Sequence, residues 1–161
     1  MNFSIVSERI DLDELRKAAL AQTSGAFVMF EGWVRNHHDG RDVLRLEYEV
    51  YTPIALREAE VIIQEAHEQF GPIHAVGSHR EGVLEIGEIA VAVAVSSAHR
   101  DEAFRAGRYI IDEVKHRLPI WKKEYFCDGS IEWVNCRRCA AHGQLGDFSE
   151  HHGMGEGGAA R

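Results

Sequence analysis

Apolar residues recur at helical spacing in two long segments of the chain. The clearer segment covers residues 98–118 and ends before Pro119, which cannot continue a helix. The other begins at Thr52-Pro53, where threonine can cap a helix and proline suits its first position, and ends at Gly71-Pro72. The apolar stripes of these two predicted helices comprise Ala103, Gly107, Ile110, Ile111, Val114 and Leu118, and Ile54, Ala55, Ala59, Ile62, Ile63, Ala66 and Phe70. A shorter helix is predicted over residues 11–22, with Asp11 as its N-cap.

The remaining apolar segments carry the patterns of β-strands. Leu44, Leu46, Tyr48 and Val50 alternate with charged residues, which predicts a half-buried strand. Residues 89–95 are apolar throughout and predict a strand covered on both faces. Further strands are predicted over residues 25–34, 74–79, 120–127 and 130–134, the last two joined by a two-residue turn at Asp128-Gly129. Strands in hairpins mixed with two long helices predict an α+β domain.

Composition changes this picture at the C-terminus. We expect a single domain over residues 1–139, followed by a mobile Gly/His-rich tail over residues 140–161.

The net charge of −8 argues against general nucleic-acid binding, which depends on basic side chains that neutralise phosphates. No secretory signal or apolar run of membrane-spanning length is visible, and three cysteines do not suggest a disulfide framework. The expectation is a cytoplasmic protein that binds no membrane.

The charge is unevenly distributed along the chain. Residues 99–123 carry seven basic and four acidic side chains, a local charge of +3. A solvated helix face accounts for such a run. A second interpretation is an anion site at residues 96–100, where a buried strand leads into a helix N-terminus with free N–H groups, and where His99 and Arg100 add donors.

Helix length limits which basic residues can share a pocket. Arg100 and Lys115 are separated by about 22 Å at about 1.5 Å per residue. The chain therefore has two separate sites, or a second copy brings its helix N-terminus to the lysines of the first, which predicts a homodimer with composite sites. Lys122 and Lys123 point to opposite faces of a strand, so only one of them can join a given pocket.

Two other polar clusters leave alternatives open. Arg35-Asn36-His37-His38 lies in a polar loop over residues 35–42, which suits either a phosphate or partner site or an ordinary polar turn. Cys136 and Cys139 have the spacing of a zinc or redox half-site, and free thiols are the alternative. The side chains that could complete a zinc site are Cys127, His142, His151 and His152.

Several spaced blocks resemble the large, catalytic subunit of molybdopterin synthase. The first block is residues 25–36, GAFVMFEGWVRN, and the second is Leu46-Glu47-Tyr48-Glu49 followed by Tyr51. The most distinctive block comprises Ser97-Ala98-His99-Arg100 with Ala103-Phe104, then Lys115, then Pro119-Ile120-Trp121-Lys122-Lys123-Glu124. The resemblance extends over residues 3–135 in the same order.

The resemblance implies a fold, a reaction and partners. The implied fold is an α/β hammerhead-type α+β domain with antiparallel sheets. The implied reaction is sulfur transfer in molybdenum cofactor biosynthesis, which converts cyclic pyranopterin monophosphate to molybdopterin. The sulfur comes from the thiocarboxylated C-terminal glycine of a small ubiquitin-like subunit, whose tail enters a pocket of the large subunit. Two large subunits form a homodimer within a heterotetramer, and the step needs no metal or cofactor.

The resemblance also implies site residues. It assigns catalytic roles to Lys115 and Lys122, and substrate binding to Arg35, His99 and Arg100. Arg137 matches an arginine that one subunit of the dimer contributes to the pocket of the other. A cationic pocket suits this chemistry, because the phosphorylated pterin and the thiocarboxylate are both anions. The alternatives are a non-catalytic docking scaffold for a ubiquitin-like protein, and a zinc-dependent regulatory variant that uses the C-terminal cysteines.

Overall fold

The computed structural model of the protein describes residues 2–135. Along the chain, the helices and strands of this part are β1 (Phe3–Val6), α1 (Leu12–Ala19), β2 (Ala26–Trp33), β3 (His37–His38), β4 (Arg41–Val50), α2 (Thr52–Phe70), β5 (Ile73–Arg80), β6 (Gly82–Glu85), β7 (Ile89–Ser97), α3 (Arg100–Arg117), β8 (Ile120–Phe126) and β9 (Ile131–Asn135). Within residues 2–135, no helix is long and apolar enough to cross a bilayer.

The strands form two sheets, which confirms the α+β prediction. The first sheet has the order β1-β5-β7-β2, and the second has the order β3-β4-β8-β9 with β6 paired to β4. The paired strands are antiparallel, except that β1 runs parallel to β5. Helices α2 and α3 pack against the first sheet, and the main core lies between them. Strand β7 is buried on both faces, as its continuous apolar sequence predicts.

The three helices occupy the predicted segments with small differences at their ends. Asp11 caps α1, because the Glu14 N–H donates to Asp11 Oδ1 at 3.0 Å. The predicted cap at Thr52 is wrong by one residue. Tyr51 O accepts the first helical hydrogen bond, from Ala55 N at 3.0 Å, so Tyr51 is the N-cap and Thr52 is already helical. Ile54, predicted in the apolar stripe, is exposed.

A β-bulge changes the inward-facing residues of β4. The pairing of β4 with β8 shifts register between Val43 and Arg45. An extra residue reverses the alternation on one side of a bulge. Val43 is therefore buried, whereas Leu44, predicted to face inward, is 53% exposed. From Leu46 onward the predicted alternation places Leu46 and Tyr48 on the inner face.

Hairpin geometry also differs from the prediction at two turns. The β8–β9 connection has four residues, 127–130, rather than two: the Phe126 N–H donates to Ser130 O, and Gly129 takes a positive φ of 85°. The polar loop over residues 35–42 contains the short strand β3, paired with the start of β4. Strands β1 and β6 were not predicted, because four-residue segments carry too little alternation to be distinguished from loops.

Candidate active site

A short connection between α3 and β8 brings Lys115 and Lys122 to one cavity. Lys115 lies in the last turn of α3, and Pro119 prevents the helix from continuing into β8. Strand β8 pairs antiparallel with β4, with Lys122 opposite Tyr48. Both lysines line a cavity of about 110 Å³. The two lysines lie seven residues apart in sequence, and the helix end and the strand direct them to the same space.

The walls of this cavity are mostly apolar. They consist of Gly32, Trp33, Tyr48, His79, Ala90, Val91, Val114, Lys115, Ile120 and Lys122. Gly32 lies against β7 so closely that a Cβ atom there would stand 2.6 Å from Val91 Cγ1. Apolar walls strengthen electrostatic interactions inside a cavity, because little water is present to screen them. A positive charge in this cavity that no acidic side chain neutralises therefore attracts an anionic ligand strongly.

The cavity continues into a wider cleft of about 740 Å³ that includes Arg35. The lining of this cleft comprises Phe30, Glu31, Gly32, Trp33, Arg35, His37, His38, Asp39, Val43, Leu46, Tyr48, Lys115, Lys122 and Glu124. Arg35 is exposed and follows β2 after Val34, which is buried. Three of the sequence-predicted site residues, Lys115, Lys122 and Arg35, thus share one continuous space.

Lys122 is held by a buried carboxylate. Its Nζ forms an ion pair with Glu124 Oε1 at 2.6 Å, and the Glu124 side chain is 2% exposed. The other carboxylate oxygen, Oε2, lies 2.6 Å from His38 Nδ1. Both oxygens of Glu124 therefore have a basic partner. This ion pair fixes the Lys122 ammonium at the cavity wall.

Lys115 has a different environment. Its Nζ lies 5.6 Å from the centre of the Phe30 ring, within the range of a cation–π contact. Among residues 2–135, no carboxylate oxygen lies within 4.0 Å of this nitrogen. Because no acidic side chain there neutralises it, Lys115 is the lysine whose charge is available to an anion entering the cavity.

His79 is a site residue that the sequence analysis did not identify. It lies near the end of β5, lines the same cavity as the two lysines, and packs edge-on against Tyr48 with ring centres 5.0 Å apart. Its Nδ1 donates to Arg80 O at 2.7 Å. Burial lowers the pKa of His79 to about 4, with a further contribution from the Lys115 charge. The imidazole is therefore neutral at pH 7, and its Nε2 is a hydrogen-bond acceptor.

His99 and Arg100 lie at the opposite end of α3. His99 is the N-cap of α3, without a side-chain capping bond, and Arg100 is the first helical residue. Both are exposed, and neither lines the cavity or the cleft. The helix separates them from Lys115 by about 22 Å. A single chain therefore does not bring all the predicted site residues together.

The predicted C-terminal residues lie outside the described part of the chain. Arg137, Cys136, Cys139 and the Gly/His-rich tail belong to this segment. Cys127 is described, and it is exposed in the β8–β9 loop. Within residues 2–135, no group of three or more His, Cys, Asp or Glu side chains has a metal-binding arrangement.

Comparison with known proteins identifies the family of this chain. The family model described as MoaE protein matches residues 5–117. The molybdopterin synthase catalytic subunit of Nostoc sp. is 42% identical over 144 residues, covering 89% of this chain and 87% of that protein. The chain belongs to the MoaE family. A Bacillus subtilis protein of the same description is 40% identical, covering 82% of this chain and 83% of that protein.

Solved structures agree with this membership of the MoaE family. The crystal structure of molybdopterin synthase from Staphylococcus aureus superposes with a TM-score of 0.80 at 39% identity, covering 83% of this chain and 97% of that one. A complex of subunits 1 and 2 of molybdopterin-converting factor from Helicobacter pylori shares the fold, with a TM-score of 0.67 at 23% identity, covering 84% of this chain and 90% of that one. The family confirms the prediction of a sulfur-transferring enzyme of molybdenum cofactor biosynthesis.

Proposed function

We propose that the cavity of Lys115 and Lys122 is where this chain transfers sulfur to cyclic pyranopterin monophosphate to form molybdopterin. The observation that carries the proposal is the placement of both lysines in one mostly apolar cavity that opens into a cleft with Arg35. A cyclic phosphate is an anion, and arginine is well suited to bind phosphate oxygens. The apolar walls suit the ring system of a pterin.

The two lysines take different roles because their surroundings differ. Lys115 has no carboxylate partner among the described residues, so it holds the anionic thiocarboxylate and moves protons beside it. Lys122 is fixed by Glu124 at 2.6 Å, which suits a residue that orients substrate and stabilises developing negative charge. Forming carbon–sulfur bonds while oxygen leaves requires proton transfer, and a lysine ammonium beside the leaving oxygen can supply the proton.

The proposed partner is a small ubiquitin-like subunit with a thiocarboxylated C-terminal glycine. The cleft is open to solvent along Arg35, which gives an extended tail a route towards Lys115. The Helicobacter pylori relative was solved as a complex of two subunits, which supports a second subunit here. We place the complex in the cytoplasm, with residues 1–139 as the catalytic domain.

The proposed assembly is a homodimer within a heterotetramer. His99 and Arg100 lie too far from Lys115 on the same helix to share its cavity, so a second copy supplies them. Arg137 is proposed to join the same pocket across the dimer. The site would then contain a lysine pair from one chain and a phosphate clamp from the other.

Mixing two inactive variants tests the composite site. Lys115→Ala and Arg100→Ala chains are refolded together, so that dimers containing one chain of each type form. A composite site leaves one intact site in each mixed dimer and restores roughly a quarter of wild-type activity. If the mixture stays as inactive as its components, while mixed dimers are shown to form, the composite site is wrong.

Reconstitution tests the proposed reaction itself. Purified protein is incubated with the pterin precursor and thiocarboxylated carrier, and molybdopterin is quantified; carrier with an ordinary carboxylate is the control. The proposal predicts product only with the thiocarboxylate. Carrier binding without product would instead support a docking scaffold. Metal analysis of the same sample addresses the zinc-dependent variant, because a tight structural site retains zinc through purification.

A further inference from the structure

We propose that His38 is a positioning residue for Lys122, acting through the buried carboxylate of Glu124. This inference rests on the proposed function, since it gives Lys122 a place in sulfur transfer. His38 Nδ1 and Lys122 Nζ each lie 2.6 Å from a different oxygen of Glu124. The three side chains form a continuous chain from the β3–β4 hairpin to the cavity wall.

The burial of Glu124 limits the hydrogen-bond donors that its carboxylate can reach. Its side chain is 2% exposed, so neither oxygen is satisfied by bulk water. A buried carboxylate needs hydrogen-bond donors on both oxygens, and the loss of one leaves an oxygen unsatisfied. With His38 in place, Oε2 is occupied, and Oε1 alone faces Lys122. Without His38, both oxygens compete for the ammonium, which draws it away from the cavity.

The hairpin that carries His38 is built to place it. Asp39 and Gly40 form the two-residue connection between β3 and β4, and both have positive φ, of 48° and 75°. Such a connection sets the register of the hairpin, with His38 opposite Arg41. Asp39 Oδ2 lies 3.7 Å from the other ring nitrogen of His38, Nε2.

The neighbouring histidine, His37, differs from His38 in its burial and in its contacts. His37 is exposed, and its Nδ1 lies 3.0 Å from Asn36 Oδ1, the side chain beside it in sequence. His38 is instead partly buried, and its Glu124 contact spans 86 positions in sequence. The long-range contact with a buried carboxylate distinguishes His38 from the residues of an ordinary polar turn.

Amide substitutions test the inference, because the Asn side-chain nitrogen occupies approximately the place of His Nδ1 and that of Gln approximately the place of Nε2. Molybdopterin formation is measured with wild type, His38→Ala, His38→Asn and His38→Gln, with carrier affinity measured in parallel. We expect His38→Ala to lower kcat about tenfold, equal to about 1.4 kcal/mol, and to change carrier affinity less, although His38 also lines the cleft. His38→Asn restores most of the loss, and His38→Gln does not.

A second readout does not depend on turnover. The side-chain ammonium signal of Lys122 in ¹⁵N NMR reports how the ammonium is bonded to Glu124. We expect the same chemical shift in wild type and His38→Asn, and a displaced one in His38→Ala and His38→Gln, where both oxygens of Glu124 contact the ammonium. His74→Ala is the matched control, since His74 is an exposed histidine on β5 that does not line the cleft. Both readouts should be unchanged in that variant.

The outcomes separate this inference from the proposed function. If wild type makes no molybdopterin, the proposed function fails, and the NMR comparison still decides the His38 contact. If wild type is active and His38→Ala has the same kcat, or His38→Asn is no better than His38→Gln, the inference is overturned. Should His38→Ala fail to fold, the comparison of the Asn and Gln variants alone gives the same decision.

Discussion

The buried imidazole of His79 makes a specific prediction about stability and pH. Burial, together with the nearby Lys115 charge, lowers its pKa from the ordinary value of 6.5 to about 4, while its hydrogen bond to Arg80 O acts in the opposite direction. Between these two values the unfolded chain binds a proton at this residue that the folded chain does not. The free energy of unfolding therefore falls as the pH falls from 6.5 to 4. A span of about 2.5 pH units at about 1.36 kcal/mol per unit gives about 3.4 kcal/mol at most.

Urea unfolding of wild type and His79→Asn at several pH values between 4 and 7.5 measures this effect. Asparagine does not titrate there, and it retains an N–H donor for Arg80 O. At pH 7.5 the substitution lowers the free energy of unfolding, because it leaves a small void beside Tyr48. The difference in free energy of unfolding between wild type and His79→Asn then shrinks by up to about 3 kcal/mol towards pH 4, because the two proteins have every other titrating group in common. Parallel curves for the two proteins across this range would refute the argument that His79 stays neutral in the fold.

Three further substitutions test contacts that stabilise the fold. Arg117→Met removes ion pairs from α3 to Glu58 and Glu65 on α2 and should lower the free energy of unfolding by about 1–2 kcal/mol at pH 7. Because Arg117, and then Tyr109, lower the pKa of Glu65, the loss should be full above pH 4.5 and fade as the pH falls below it; an effect that grows in acid would contradict this. Asp11→Ala should cost about 1 kcal/mol through the lost cap of α1, measured by urea unfolding, and Asp11→Asn should recover most of it. Gly32→Ala should cost about 1–3 kcal/mol, because the new Cβ meets Val91, and a melting temperature equal to wild type would contradict this close approach.

Periodicity alone predicted the elements with long, uniform patterns. Helix α3 and strand β7 appear where the sequence places them, because a helical stripe or a continuous apolar run is a property of the segment itself. Leu44 illustrates the limit. The bulge beside Val43 arises from pairing with β8, about eighty residues later in the chain, and no local pattern in β4 reveals it.

The site was predictable to the extent that its chemistry is visible in residue type and spacing. Lys115, Lys122 and Arg35 carry charges that stand out in sequence, and they line one space in the structure. His79 lies in a segment that was predicted only as a strand, and nothing local indicates that Lys115 faces it. Glu124 follows Lys123 in an ordinary charged run, and its burial depends on the fold. Neutral or buried polar groups acquire their roles from partners distant in sequence.

Sulfur transfer is proposed to take place in the cavity of Lys115. The most direct test is the amount of molybdopterin formed by Lys115→Ala with thiocarboxylated carrier and pterin precursor. Lys123→Ala is the matched control, because Lys123 contacts Tyr125 and Trp133 on the opposite face of β8. We predict that Lys115→Ala loses at least about a hundredfold in rate, as expected for removal of an acid–base group, while Lys123→Ala remains as active as wild type. Full activity of Lys115→Ala would contradict a role for this cavity in sulfur transfer.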